Sequence, residues 1–259
     1  MLFNLSLMQK IVFISGATSG IGEATAIKFA YNHFDIIITG RRSERLKSLV
    51  ERLTAETEAK VLSLVFDVRK REEVEDAVNS LPVEWKKIDV LVNNAGLALG
   101  LDPVNEGNPD NWDSMIDTNI KGLLYLTRAI SPLMIQAGSG HIINIGSVAG
   151  REVYPNGNVY CATKHAVDAL TKGTRMDLLK YGIKVTQIAP GAAETEFSEV
   201  RFSGDKLRAG NVYKGYLPLR ADDLADVIWY VSSLPPHVNI NDILVMPTAQ
   251  ASAMQIHKT

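Results

Sequence analysis

Short apolar runs and longer amphipathic stretches alternate along the chain. Residues 10–15 (KIVFIS), 34–39 (FDIIIT), 61–66 (VLSLVF), 88–92 (IDVLV), 141–146 (HIINIG), 183–189 (IKVTQIA) and 242–246 (DILVM) are apolar on both faces. Strands of that kind are covered by helices on both sides. Between them the polar and apolar positions follow a helical period at about 20–32, 43–58, 70–80, 109–137, 156–181 and 221–233. The alternation predicts right-handed βαβ units. These build an α/β fold with a doubly wound parallel sheet of about seven strands and helices on both faces. No linker, repeat or low-complexity tract divides the chain, so 1–259 read as a single domain. One stretch, 196–216, is polar and charged and breaks the alternation, which predicts an inserted lid.

Composition narrows the function classes. Apolar residues make up 46% and charged residues 22%, and the net charge is −2. That balance provides a core and an ordinary surface, and argues against nucleic acid or an anionic membrane as partner. No apolar run is long enough to span a bilayer. The start, MLFNLSLMQK, lacks the basic region and cleavage site of a signal peptide, and Met8 is an alternative start just before the first strand. The single cysteine, Cys161, permits no internal disulfide and suits a cytoplasmic protein. His33, His141, His165, His237 and His257 show no metal-ligand spacing, so no metal is expected.

The first strand runs into Ser15-Gly16-Ala17-Thr18-Ser19-Gly20-Ile21-Gly22 and then a helix. Glycines at such a turn let backbone approach a pyrophosphate, and the helix N-terminus favours its charge. Alone, the turn is equally ordinary strand-to-helix chemistry; its place between strand and helix favours the dinucleotide reading. The second strand ends Thr39-Gly40-Arg41-Arg42, without the acid that would hold a ribose 2′-hydroxyl. Two guanidiniums there suit a 2′-phosphate and so point to NADP, although a solvated basic helix start has the same composition. Asp67 and Asn93-Asn94-Ala95-Gly96 end the third and fourth strands, where a doubly wound sheet binds its ligands.

Tyr160 and Lys164 stand four apart on a helical stretch and share one face. An ammonium beside a phenol lowers its pKa, so Tyr160 could exchange a proton with an alcohol or carbonyl near neutral pH. The pair alone is a weak signal. Ser147 at the end of a strand, and Asn119 inside a helix where an amide is a poor former, add to it.

Taken in order, SGATSGIG, NNAG, Asn119, Ser147, Tyr160-Cys161-Ala162-Thr163-Lys164 and Pro190-Gly191 resemble the short-chain dehydrogenase/reductase family over about residues 8–259. Ser15, where many members carry threonine, keeps the hydroxyl. The resemblance implies a Rossmann-type domain with Tyr160 as general acid/base. Lys164 would lower its pKa and bind the nicotinamide ribose, Ser147 would hold the substrate oxygen, and Asn119 would hold a water in a proton relay. It places Gly16, Thr18, Ser19, Gly20, Ile21 and Gly22 on the pyrophosphate and Asp67 and Val68 on the adenine. Asn94 would lie on the ribose side, with Pro190 and Gly191 also along the cofactor. TEFSEVRFSGD (195–205) and LPPHVNINDILVMPTAQ (234–250) are similar to the NADP-dependent 3-hydroxy acid dehydrogenase branch, which acts on serine, allo-threonine and related acids and is commonly tetrameric.

Such a substrate carries a carboxylate. Arg201 in the lid is the expected clamp, with Arg151 its rival and a surface pairing of Arg201 with Glu196 or Glu199 the alternative. A carbonyl reductase with a broad or bulky substrate is the second enzymatic expectation. A non-catalytic regulator is disfavoured by the intact Ser147, Tyr160 and Lys164. The helices at 109–137 and 156–181 are the expected tetramer surfaces, with the tail 247–259 covering a neighbour.

Overall fold

The computed structural model describes residues 9–259; the alternative start at Met8 lies outside them. β1 (Ile11–Ile14) is wholly buried and shows how the sheet is sandwiched. Val12 and Ile14 enter one core with Ala26, Phe29, Leu224 and Ile228, while Ile11 and Phe13 enter a second with Val74, Leu126, Ile130 and Met134. The period of two thus feeds two cores from one strand.

After α1 (Gly20–Ala30) come β2 (Asp35–Gly40), α2 (Ser43–Glu56), β3 (Val61–Val65), α3 (Arg71–Asn79) and β4 (Ile88–Asn93). The second half holds α4 (Pro109–Ile116), α5 (Leu123–Ala137), β5 (His141–Ile145), α6 (Asn158–Leu178) and β6 (Lys184–Pro190). Then follow β7 (Ala193–Glu194), α7 (Phe197–Arg201), α8 (Lys206–Val212), β8 (Leu219–Arg220), α9 (Ala221–Ser233) and β9 (Asp242–Val245). The main sheet is parallel, in the order β3-β2-β1-β4-β5-β6-β9. Chain direction across it reverses between β1 and β4, which opens a crevice at their carboxyl ends. Phe29, Phe34 and Trp229 meet edge to face at 5.0–5.6 Å and lock α1 to α9 below that crevice.

Three details add to the sequence expectation, and the first corrects it. The stretch 109–137 is not one α-helix: Asp117–Gly122 winds as a π-helix between α4 and α5. The segment 196–216 holds two short helices, α7 and α8, framed by the β7–β8 pair. The tail beyond β9 packs on its own chain: Gln250 Oε1 accepts from Ala192 N (2.7 Å) and Thr259 N donates to Gly215 O (2.9 Å).

Candidate active site

A cleft of about 550 Å³ opens at the carboxyl ends of the strands, across the point where chain direction reverses. At one end lies the glycine turn. Gly16 takes φ +67°, which its neighbours in the turn could not adopt cheaply. Gly22 does not face the cleft: a β-carbon there would collide with the Gly16 carbonyl and the Asn94 amide, so it serves the packing of α1 on the turn. Gly16, Thr18, Ser19, Gly20 and Ile21 do line the cleft. Asn94 lines it too, but its Nδ2 donates to the carbonyls of Ser15 (2.9 Å) and Gly16 (3.1 Å), so it also holds the turn in place.

Arg41, Arg42, Asp67 and Val68 line the same end. The two arginines differ. The Arg41 side chain is 60% exposed and, among the described residues, pairs only with Asp67, at 3.9 Å. Arg42 is spent on the protein: Nε and Nη2 donate to Thr18 Oγ1 (3.0 and 2.6 Å), Nη2 to Ser19 Oγ (2.8 Å) and Nη1 to Glu196 (2.9 Å). Burial alone would raise the Asp67 carboxyl, but hydrogen bonds from Arg69 outweigh it and hold the group below the ordinary range. Free and bound guanidinium, two hydroxyls and the N-terminus of α1 form a donor set that fits a phosphorylated dinucleotide.

The other end holds the reactive side chains. β5 delivers Ser147, whose Oγ accepts from Ala149 N (3.1 Å) and caps a 3₁₀ turn at Val148–Gly150. α6 presents Tyr160 and Lys164 side by side, 8% and 6% exposed. Lys164 Nζ donates to Ile145 O (2.9 Å) and lies 5.9 Å from the centre of the Tyr160 ring. The expected lowering of the phenol pKa by Lys164 does not dominate among the chain's own groups. Burial, with Tyr154 adding to it, pushes the Tyr160 phenol well above its ordinary range, against hydrogen bonding from Ser147 and the charge of Arg201. Burial also brings the Lys164 ammonium down to about 8, which leaves it largely protonated at neutral pH.

Asn119 does not line the cleft. Its Nδ2 donates to Leu97 O (2.8 Å) and Thr163 Oγ1 (3.0 Å), and its Oδ1 accepts from Leu97 N (2.9 Å). The π-helix therefore sets an amide that stitches the cleft wall to α6, and the water-holding role implied by resemblance finds its side chain already engaged.

Pro190 and Gly191 line the cleft beside Ser147, whose Oγ donates to Pro190 O (3.5 Å), and Arg201 lines it as well. Its Nε donates to Gly100 O (3.2 Å) and its Nη1 to the Tyr154 hydroxyl (3.1 Å), with the guanidinium 5.7 Å from the Tyr160 ring centre. The expected alternative pairing is absent among the described residues: Glu196 is taken by Arg42 and Arg45, and no carboxylate reaches Arg201. Arg151 is outside the cleft lining, paired with Asp242 and, at 3.9 Å, Asp168. Sequence reasoning missed Tyr154, Phe197, Tyr213, Gln250, Ala253 and Ile256, all of which line the cleft. An aromatic six residues before Tyr160 was a faint signal for Tyr154; nothing local marks the tail residues.

The sequence profile of the family described as short chain dehydrogenase matches residues 10–206. The chain is 47% identical over 251 residues to an NADP-dependent 3-hydroxy acid dehydrogenase of Salmonella typhi, covering 96% of this chain and 100% of that one. It is 46% identical over 245 residues to sulfoacetaldehyde reductase 2 of Chromohalobacter salexigens, covering 94% and 96%. Among solved structures, the closed form of a serine dehydrogenase complexed with NADP+ superposes with a TM-score of 0.89 at 45% identity, covering 96% of this chain and 100% of that one.

Proposed function

Because the chain belongs to the short-chain dehydrogenase family, we propose that it interconverts the 3-hydroxy and 3-oxo forms of a small acid with NADP(H), gripping the acid group with Arg201. The chain is an NADP-dependent oxidoreductase of CH–OH groups. One observation supports a small acid as its substrate. Arg201 stands over Tyr160 with no carboxylate partner among the described residues, in a cleft whose only acids are Asp67 at the far end and Glu196, already paired. The names of two relatives fit an anion so placed. A 3-hydroxy acid and sulfoacetaldehyde both keep one carbon between the reacting carbon and the acid group.

NADP(H) supplies or accepts the hydride. Thr18, Ser19 and the N-terminus of α1 would hold its pyrophosphate, Arg41 its 2′-phosphate with Arg42 bracing the turn beside it, and Lys164 the nicotinamide ribose. Ser147 and Tyr160 would hold the reacting oxygen between two hydroxyls. The Tyr160 proton passes to that oxygen in reduction and returns to the phenol in oxidation. Burial keeps the phenol protonated at neutral pH among the chain's own groups, the form in which it can donate to a carbonyl oxygen. The segment 196–216 acts as a lid that excludes water.

Steady-state rates with 3-hydroxypropionate, L-serine, L-allo-threonine, 3-hydroxybutyrate and an uncharged secondary alcohol test the proposal. We expect turnover of the 3-hydroxy acids, with 3-hydroxypropionate ahead of serine because the two acids of the cleft, Asp67 and Glu196, are both paired with arginines and leave none for the ammonium. NADP+ should outperform NAD+, and Arg41→Ala should cut kcat/KM for NADP+ by about thirtyfold, the effect of losing one charge-assisted pair. Equal efficiency with NAD+, or no turnover of any of the acids, refutes it. The aromatic walls formed by Tyr154, Phe197 and Tyr213 support the second reading, a broad carbonyl reductase, which bulky neutral ketones would reveal.

A cytoplasmic homotetramer completes the reading. Cys161 is buried and free, and Ile116, Leu124, Met176 and Leu179 expose apolar surface on and beside the long helices. Light scattering should give four chains per particle, and a monomer at micromolar concentration contradicts this.

A further inference from the structure

Three chain segments converge on one carboxylate at the adenosine end of the cleft. Glu196 opens the lid, directly before α7. Its Oε2 accepts from Arg42 Nη1 (2.9 Å) and its Oε1 from Arg45 Nη1 (2.6 Å). Arg42 grips Thr18 and Ser19 with its remaining edge, and Arg45 Nη1 also reaches Thr18 O (3.4 Å). One carboxylate therefore joins the lid to the end of β2, the start of α2 and the glycine turn.

We propose that Glu196, held by Arg42 and Arg45, is a latch that fastens the lid to the phosphate turn, so that the lid governs release of NADP(H) as well as access of the acid substrate. The proposal rests on the NADP(H) reading above. Arg201 lies five residues beyond Glu196 on the same segment, so the latch also sets where the acid clamp stands. Arg45 and Glu196 are thereby positioning residues, not catalytic ones. The 2′-phosphate need not displace Glu196, because Arg41 keeps its guanidinium exposed at the same end of the cleft. The competing arrangement, in which Glu196 occupies Arg42 at the expense of the phosphate, predicts the opposite sign.

Stopped-flow release of NADPH, followed by its fluorescence, reads the latch directly. Glu196→Gln should speed release by about fivefold, as expected for two pairs whose side chains are near half-exposed. Arg45→Gln, which breaks one of the two pairs, should speed it by about twofold, and the double variant should release NADPH no faster than Glu196→Gln alone. Hydrogen exchange without added nucleotide supplies a second readout: amides of 197–212 should exchange faster in both variants. Unchanged release with unchanged exchange overturns the latch. Slower release from Glu196→Gln overturns it in favour of competition with the phosphate. Failure of the native protein to bind NADPH refutes the cofactor reading instead, and the exchange arm then decides whether Glu196 fastens the lid.

Discussion

Tyr160→Phe should lower kcat by about a thousandfold in both directions, the order of effect when a general acid/base is removed, while NADPH binding stays measurable. The ring is what α6 packs: it lies 5.6 Å from Phe197 and is 8% exposed, so phenylalanine keeps the core contacts. Only the hydroxyl and its proton are lost. Because burial raises the Tyr160 phenol, the native enzyme's oxidation rate should climb with pH through the alkaline range as the proton becomes easier to remove. Reduction uses the protonated phenol and should hold steady over the same range. Fluorescence titration with NADPH, thermal melting and steady-state kinetics on one preparation separate the effects. If Tyr160→Phe retains more than about a tenth of native turnover, well above what loss of the acid/base allows, the phenol does not carry the proton.

The sheet was legible because its inner strands have to satisfy two cores. Ile36 and Ile38 face one side of β2 and Ile37 the other, a continuous apolar run that a one-sided strand does not need. The glycine turn and the Tyr160–Lys164 pair were legible for a different reason: their chemistry is set within a few residues along the chain. The π-helix was not. No break interrupts the helical run at its junction, so 109–137 reads as a single helix although Asp117–Gly122 winds differently.

Contacts between distant segments were also out of reach. Arg45 and Glu196 lie 151 positions apart, and Gln250 meets Ala192 across 58. Neither pairing leaves a local pattern. Arg151 shows how closeness in sequence misleads. It follows Ser147 by four residues, yet the 3₁₀ turn between them hands its guanidinium to Asp242 at the start of β9. Arg201, on a separate segment, is the arginine that the fold brings over Tyr160.

Arg201→Ala should therefore divide substrates by charge. Two of the guanidinium's donors are used by Gly100 O and the Tyr154 hydroxyl, which aim the group, and the Nη2 edge has no partner among the described residues. A carboxylate or sulfonate bound there would gain a charge-assisted contact beside the buried Tyr160 ring. Losing it should cost about 2 kcal/mol, or roughly thirtyfold in kcat/KM for 3-hydroxypropionate. An exposed surface pair would be worth well under half of that. An uncharged ketone has nothing to lose at that position. The side chain also ties α7 to Gly100, so a loosened lid is the rival explanation, and it would slow charged and neutral substrates alike. Arg201→Lys sharpens the contrast: it keeps the charge but loses the planar fork, and should fall between native and alanine on the acid while leaving the ketone unchanged. Equal losses on both substrates in Arg201→Ala would show that Arg201 only supports the lid.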